Sequence, residues 1–233
     1  MLFDLDGTLT NSKEGITKSV QYALQSLGIQ EDDLDKLECY IGPALKDSFQ
    51  MFHKLNAEQT SAAVRKYRER YTDTGLLENA VYDGMEECLK KMKEAGKVIA
   101  LATCKPEPFA VRILEHFNLT QYFDVIVGSE MNETRTHKNE VIDEVFHRIM
   151  TDETLAPAIE KEAGQSDALV LEQMKADSIM IGDRNQDING AKTCRIESVG
   201  VRFGFAEEGE LEEAGADYIV ETAEELTELL LTL

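Results

Sequence analysis

Leu2-Phe3-Asp4-Leu5-Asp6-Gly7-Thr8-Leu9-Thr10 places two carboxylates two residues apart where an apolar strand runs into a Gly-Thr turn. Side chains alternate along a strand, so Asp4 and Asp6 lean to the same side, and Gly7 lets the backbone bend sharply beneath them. Like charges that close repel by several kcal/mol unless a cation lies between them or one carboxylate holds a proton. Asp-Gly is also an ordinary hairpin signal, so an isolated Asp-x-Asp-Gly reads equally well as a turn or as a site. The rest of the chain decides between them.

Downstream, the pattern changes character. Ile16, Val20, Leu24 and Leu27 recur at helical spacing with Gly28 as a terminator, and Leu45, Phe49, Phe52, Val64, Tyr67 and Tyr71 continue the pattern. Residues 14 to about 80 therefore read as a small helical unit with no strand. From about residue 82 helices and strands alternate: helices over 84–95 and 106–117, and strands over 97–103, 123–128, 178–183, 198–201 and 218–220. Apolar runs separated by helices imply a parallel sheet covered on both faces, and such α/β folds bind ligands beyond the carboxyl ends of their strands. Asp4, Asp6, Thr103 and Asp183 all fall at such ends. One crevice collects them from distant parts of the chain.

Composition bounds what that crevice does. The 233 residues suffice for one large domain or two unequal ones, and 42% are hydrophobic, as in a soluble globule. No apolar run approaches the ~20 residues that cross a bilayer. The apolar start is interrupted by Asp4 and carries no basic leader, so the expectation is a cytoplasmic protein with no membrane partner. Cys39, Cys88, Cys104 and Cys194 are scattered and read as free thiols rather than as a disulfide or zinc framework. Asp and Glu total 45 against 24 Lys and Arg, a formal charge of −21, which argues against a nucleic-acid partner. A phosphate substrate then requires local lysines and a divalent metal to reverse the sign inside the site.

The residues at the strand ends meet that requirement. A carboxylate that attacks phosphorus forms an aspartyl phosphate and splits a difficult hydrolysis into two displacements, the role assigned to Asp4. Asp6 is placed to protonate the leaving oxygen and later to deprotonate the attacking water, while the turn at Gly7 and Thr8 lets backbone groups approach the phosphoryl oxygens. Gly182-Asp183-Arg184-Asn185-Gln186-Asp187 adds two acids at i and i+4 on one face of a starting helix. Magnesium takes hard oxygen ligands, here Asp4, a backbone oxygen at Asp6, and Asp183, with Asp187 direct or through water. Asp183 and Asp187 also suit a helix N-terminus electrostatically, and Thr103 suits a helix N-cap as well as a phosphate contact. Lys105 and Lys138 both qualify as the site's cation, and composition does not choose between them.

With these residues in place the chain resembles the haloacid dehalogenase-like hydrolases, in particular their phosphoglycolate phosphatase-like branch with a helical cap. Residues 3–9 match the first family motif, Leu101-Ala102-Thr103 the second, Lys138 within Thr136-His137-Lys138-Asn139-Glu140-Val141-Ile142 the third, and Gly182-Asp183 through Asp187 the fourth. The resemblance implies a Rossmann-like α/β core formed by residues 1–13 and 82–233, and a helical cap of residues 14–81 inserted after the first strand. It also implies magnesium-dependent transfer of a phosphoryl group from a small metabolite to Asp4. Lys138 becomes the orienting lysine, with Lys105 and Cys104 beside the substrate, and Gly42 and Pro43 of Tyr40-Ile41-Gly42-Pro43 form a cap loop facing it.

The chain departs from the branch in three places. The interval from Lys138 to Asp183 is long, and its acidic stretch over 151–175 reads as a solvated insertion, a helical hairpin or an oligomer contact. Asp83 stands where the branch often has Pro, and Cys104 adjoins Thr103. A phosphomutase remains the rival activity, and a phospho-accepting signalling module leaves the helical insertion unexplained. Monomer or homodimer is not legible.

Overall fold

Alternating apolar residues on the short central strands face two different buried layers. The computed structural model describes residues 1–132, 134–152, 154–155 and 165–233. Among these, β1 (Leu2–Phe3), β4 (Ala100–Pro106), β5 (Val125–Ser129), β6 (Ile179–Gly182), β7 (Glu197–Val201) and β8 (Tyr218–Val220) form one six-stranded sheet. Its order is β5-β4-β1-β6-β7-β8, and every neighbouring pair is parallel. Phe3, Leu101, Ile179 and Ile181 face a layer completed by α4 (Met85–Glu94), α5 (Glu107–His116) and α10 (Ala223–Thr232). Leu2, Ala100, Ala102 and Met180 face the opposite layer, against α6 (Lys138–Thr151) and α8 (Asn185–Cys194). Both faces are covered, which is why these strands read as continuous apolar runs.

The helical cap leaves this core immediately after β1. Between β2 (Thr10–Asn11) and β3 (Ala80–Val81) the chain forms α1 (Lys13–Ser26), a 3₁₀ turn at Leu34–Tyr40, α2 (Leu45–His53), α3 (Ala57–Arg70) and a π-helical turn at Tyr71–Gly75. Asn56 caps α3 by accepting from the Gln59 N–H, and the Gln59 side chain reciprocates on the Asn56 N–H. Such a cap is worth about 1 kcal/mol. The π turn brings Gly75 against Gly15 of α1, where an added Cβ on Gly15 would lie 1.9 Å from the Gly75 carbonyl oxygen.

Two expectations shift at this level. The segment 14–80 was expected to lack strands, yet Ala80 pairs antiparallel with Asn11 and Val81 with Thr10. Two residues are too few for a period-two pattern to show in sequence. The strand expected over 97–103 runs instead from Ala100 to Pro106. Lys97 is still closing α4, its N–H bonded to the Met92 carbonyl, and a register shift beyond Ala102 lets Pro106 pair with Ser129.

Much of the acidic stretch at 151–175 lies outside the described residues, namely 153 and 156–164. Its last part belongs to α7 (Asp167–Ala176). Glu210–Ala214 forms the short α9. Among the described residues no helix is long and apolar enough to cross a membrane.

Candidate active site

Gly7 is the pivot of the first acidic turn. The Leu5 carbonyl accepts from the N–H groups of Thr8, Leu9 and Thr10, and the tight bend holds Gly7 at φ +86°, a region that side chains disfavour. Space excludes a side chain as well, since a Cβ on Gly7 would lie 2.0 Å from Asp183 Oδ2. From the far side Gly204 closes in, where a Cβ would lie 2.3 Å from Asp183 Cβ. Asp183 is thus gripped between two glycines. Its Oδ2 accepts from the Phe205 N–H at 2.8 Å and its Oδ1 from the Thr8 hydroxyl at 3.3 Å.

Asp4, at the end of β1, and Asp187, in the first turn of α8, complete a buried cluster. One carboxylate oxygen from each of Asp4, Asp183 and Asp187 lies within 4.8 Å of the others. Lys138, the first residue of α6, reaches into it, with Nζ 2.9 Å from Asp4 Oδ1, 2.7 Å from Asp187 Oδ1 and 2.9 Å from the Ala102 carbonyl oxygen. Burial pushes the Asp4 carboxyl up to about 6; Lys138 opposes that rise, while Asp187 and Asp6 add to it. Asp183 is raised further, by burial and then by Asp187 and Asp4. Burial works against the charge on Lys138, but Asp187 and Asp4 outweigh it and raise its pKa.

Asp6 leans toward a different partner. Lys105 Nζ lies 2.6 and 2.8 Å from the two Asp6 oxygens and 5.0 Å from the centre of the Tyr71 ring in the cap. Both residues line a cavity of about 340 Å³ between core and cap, together with Cys104, Tyr71, Gly42 and Pro43. Gly42 sits at φ +101°, so the cap loop turns where only glycine turns easily. Thr103 is buried in β4, and its hydroxyl accepts from the Lys105 N–H at 3.2 Å. It does not cap α5, which starts after Pro106. Burial pushes the Cys104 thiol up to about 12, which leaves it a poor nucleophile at neutral pH.

The charge balance fits a divalent metal. Asp4, Asp6, Asp183 and Asp187 face two ammonium groups, Lys105 and Lys138, which leaves two formal negative charges in a buried site. The surplus lies in the all-oxygen cluster, the donor set magnesium prefers. The Asp6 carboxylate is engaged by Lys105, so any share it takes in metal binding falls to its backbone oxygen.

Comparison with known proteins gives the family. The chain matches the haloacid dehalogenase-like hydrolase family over residues 1–201. It belongs to that family. Similar hydrolases include a 5'-nucleotidase of Pseudomonas aeruginosa, 41% identical over 91% of this chain and 86% of that protein. A phosphoglycolate phosphatase of Colwellia psychrerythraea is 27% identical over 97% of this chain and 94% of its own. Among solved structures, one described as "a predicted phosphatase from Clostridium acetobutylicum" superposes with a TM-score of 0.86 at 40% identity, covering 100% of this chain and 97% of that one.

Several residues around this hydrolase's site escape a reading of the sequence. Phe205 and Gly204 hold Asp183 through backbone alone, and the one available signal was a glycine between two aromatics in Phe203-Gly204-Phe205. Tyr71 reads as cap core yet lies under Lys105. Arg184 sits inside the fourth motif, but one of its two side-chain partners, Ile41, is in the cap.

Proposed function

We propose that the protein is a magnesium-dependent phosphomonoesterase that removes phosphate from a small metabolite through an aspartyl phosphate on Asp4. The observation that carries this reading is the pairing of an electron-rich cluster at Asp4 with a neutral acid–lysine pair, Asp6 and Lys105, at the wall of the cavity. Asp4 attacks phosphorus, and the bond from phosphorus to the leaving oxygen breaks as Asp6, which takes up a proton from solvent once the substrate phosphate engages Lys105, passes that proton to the leaving oxygen. Asp6 then takes a proton from water as the water displaces the Asp4 carboxylate and frees phosphate. Lys138 keeps Asp4 oriented and favours its charged form. An arriving phosphoryl group offers Lys105 a second anion, which loosens its hold on Asp6 and frees that acid for proton transfer. Thr103, Gly7 and Thr8 border the phosphoryl oxygens. Asp4, Asp183 and Asp187, with the Asp6 backbone oxygen, would hold magnesium, which neutralises charge on the phosphoryl oxygens when bound.

A cavity of about 340 Å³ suits a metabolite rather than a polymer. The 5'-nucleotidase relative makes nucleoside 5'-monophosphates the first substrates to test, and phosphoglycolate follows from the more distant relative. A phosphate-release screen across nucleotides, phosphoglycolate, pyrophosphate and sugar phosphates, with and without magnesium, tests the reading. Release that needs magnesium and no sugar-phosphate acceptor supports hydrolysis over mutase chemistry. Wild-type turnover by Asp4→Asn would sink the mechanism.

A further inference from the structure

Arg184 belongs to two parts of the molecule at once. Its backbone N–H donates to Asp187 Oδ2 at 3.0 Å, which ties that carboxylate to the start of α8. Its side chain runs the opposite way, into the cap. Nη1 donates to the Ile41 carbonyl oxygen at 2.9 Å, and Nε donates to Glu210 Oε1 at 2.9 Å. Glu210 is itself anchored, accepting from the N–H groups of Asn185 at 2.8 Å and Glu207 at 3.0 Å. Only 12% of the Arg184 side chain and 9% of the Glu210 side chain are exposed, so water competes poorly for either. The guanidinium is a planar fork, and pinning one prong on Glu210 aims the other.

The carbonyl it meets is well placed. Ile41 ends the 3₁₀ turn Leu34–Tyr40, and the next two residues, Gly42 and Pro43, line the cavity. The arginine stem lies directly against that loop, 3.3 Å from where a Cβ on Gly42 would stand. Opposite, the cap rests on other contacts: Arg112 Nη2 donates to the Thr72 carbonyl at 3.0 Å, and Lys105 lies over Tyr71. Losing the Arg184 contact would therefore free one corner of the cap and leave the other seated.

We propose that Arg184 is a positioning residue that holds the loop at residues 41–43 over the cavity, so that one side chain joins the carboxylate cluster's turn to the wall that meets the leaving group. It touches no reacting atom. With the loop released, a substrate that contacts residues 41–43 binds less tightly, while attack by Asp4 on a substrate too small to reach them proceeds as before. The kinetic part rests on the phosphatase reading above; the structural part does not.

The test pairs amide hydrogen exchange with kinetics on Arg184→Ala, Arg184→Lys and Glu210→Gln. In the metal-free protein Arg184→Ala should speed exchange of the Ile41 amide, bonded to the Glu38 carbonyl at 2.8 Å, by about tenfold or more. The Leu76 amide, bonded to the Tyr71 carbonyl at the other corner, should not change. With magnesium, KM for a nucleoside monophosphate should rise by about tenfold, with kcat and acetyl phosphate turnover held within about twofold. Added guanidinium ion should restore part of the KM, and Arg184→Lys should fall between. Glu210→Gln, which keeps the arginine, should give the same pattern more weakly and decides the matter if Arg184→Ala does not fold. Unchanged Ile41 exchange, or exchange that rises equally at Ile41 and Leu76, overturns the proposal. Absence of hydrolysis by the wild type would count against the phosphatase reading alone, because the exchange result stands without it.

Discussion

Lys138 and Lys105 are both buried, and each reaches an acid of the opening motif, yet their surroundings differ. Lys138 stands between Asp4 and Asp187 with Asp183 beside them, so its single charge is outnumbered. Lys105 meets Asp6 one to one and spends its remaining surface on the Tyr71 ring and the cavity. The same two residue types thus build one pocket with surplus negative charge, matched to a cation, and one balanced ion pair. Position in the fold, rather than residue chemistry, separates the two roles.

The difference is open to attack from several sides. Asp4→Asn should lower phosphate release by at least about 10³-fold while the chain remains folded by circular dichroism, because the proposed nucleophile is lost without a change of shape. Lys138→Met should lower metal-free stability in urea titrations by about 3–5 kcal/mol, since it strands two like charges in a buried site. Lys105→Met strands only Asp6, beside a cavity, and should cost less; equal losses would erase the contrast. Magnesium at about 100 times its dissociation constant should stabilise the wild type by about 2.7 kcal/mol in thermal melts. That gain should vanish in Asp183→Asn and survive in Lys105→Met.

A last expected effect is on pH. The Asp4 carboxyl is pushed up to about 6, against 3.8 for an ordinary aspartate, so the folded metal-free chain binds the extra proton between those values. Its contribution is complete below the lower value and is lost as pH rises through the upper one. Metal-free wild type should therefore lose stability relative to Asp4→Asn as pH climbs across that window. A parallel pair of pH profiles would remove Asp4 from the account.

Much of the convergence at the candidate site was legible from the chain. Asp4, Asp183 and Asp187 could be placed because each follows an apolar strand or opens a helix, patterns carried by a few consecutive residues. The choice between the lysines was not legible from the residues, since Lys105 finds Asp6 and Lys138 finds Asp187 only after the sheet has been assembled. The contact from Arg184 to Ile41 was hidden for the same reason, and the receiving atom is a main-chain carbonyl that leaves no mark on residue type. The strands Thr10–Asn11 and Ala80–Val81 escaped through brevity alone.

That small ribbon has a topological consequence. Because the outgoing and returning strands are hydrogen-bonded to each other, the two ends of the cap lie side by side, about 5 Å apart as in any antiparallel pair. The whole insertion is therefore, to the core, an elaborate hairpin loop. It can be lengthened, exchanged or pared back without asking the parallel sheet to rearrange, so the insertion and the core are free to change at different rates.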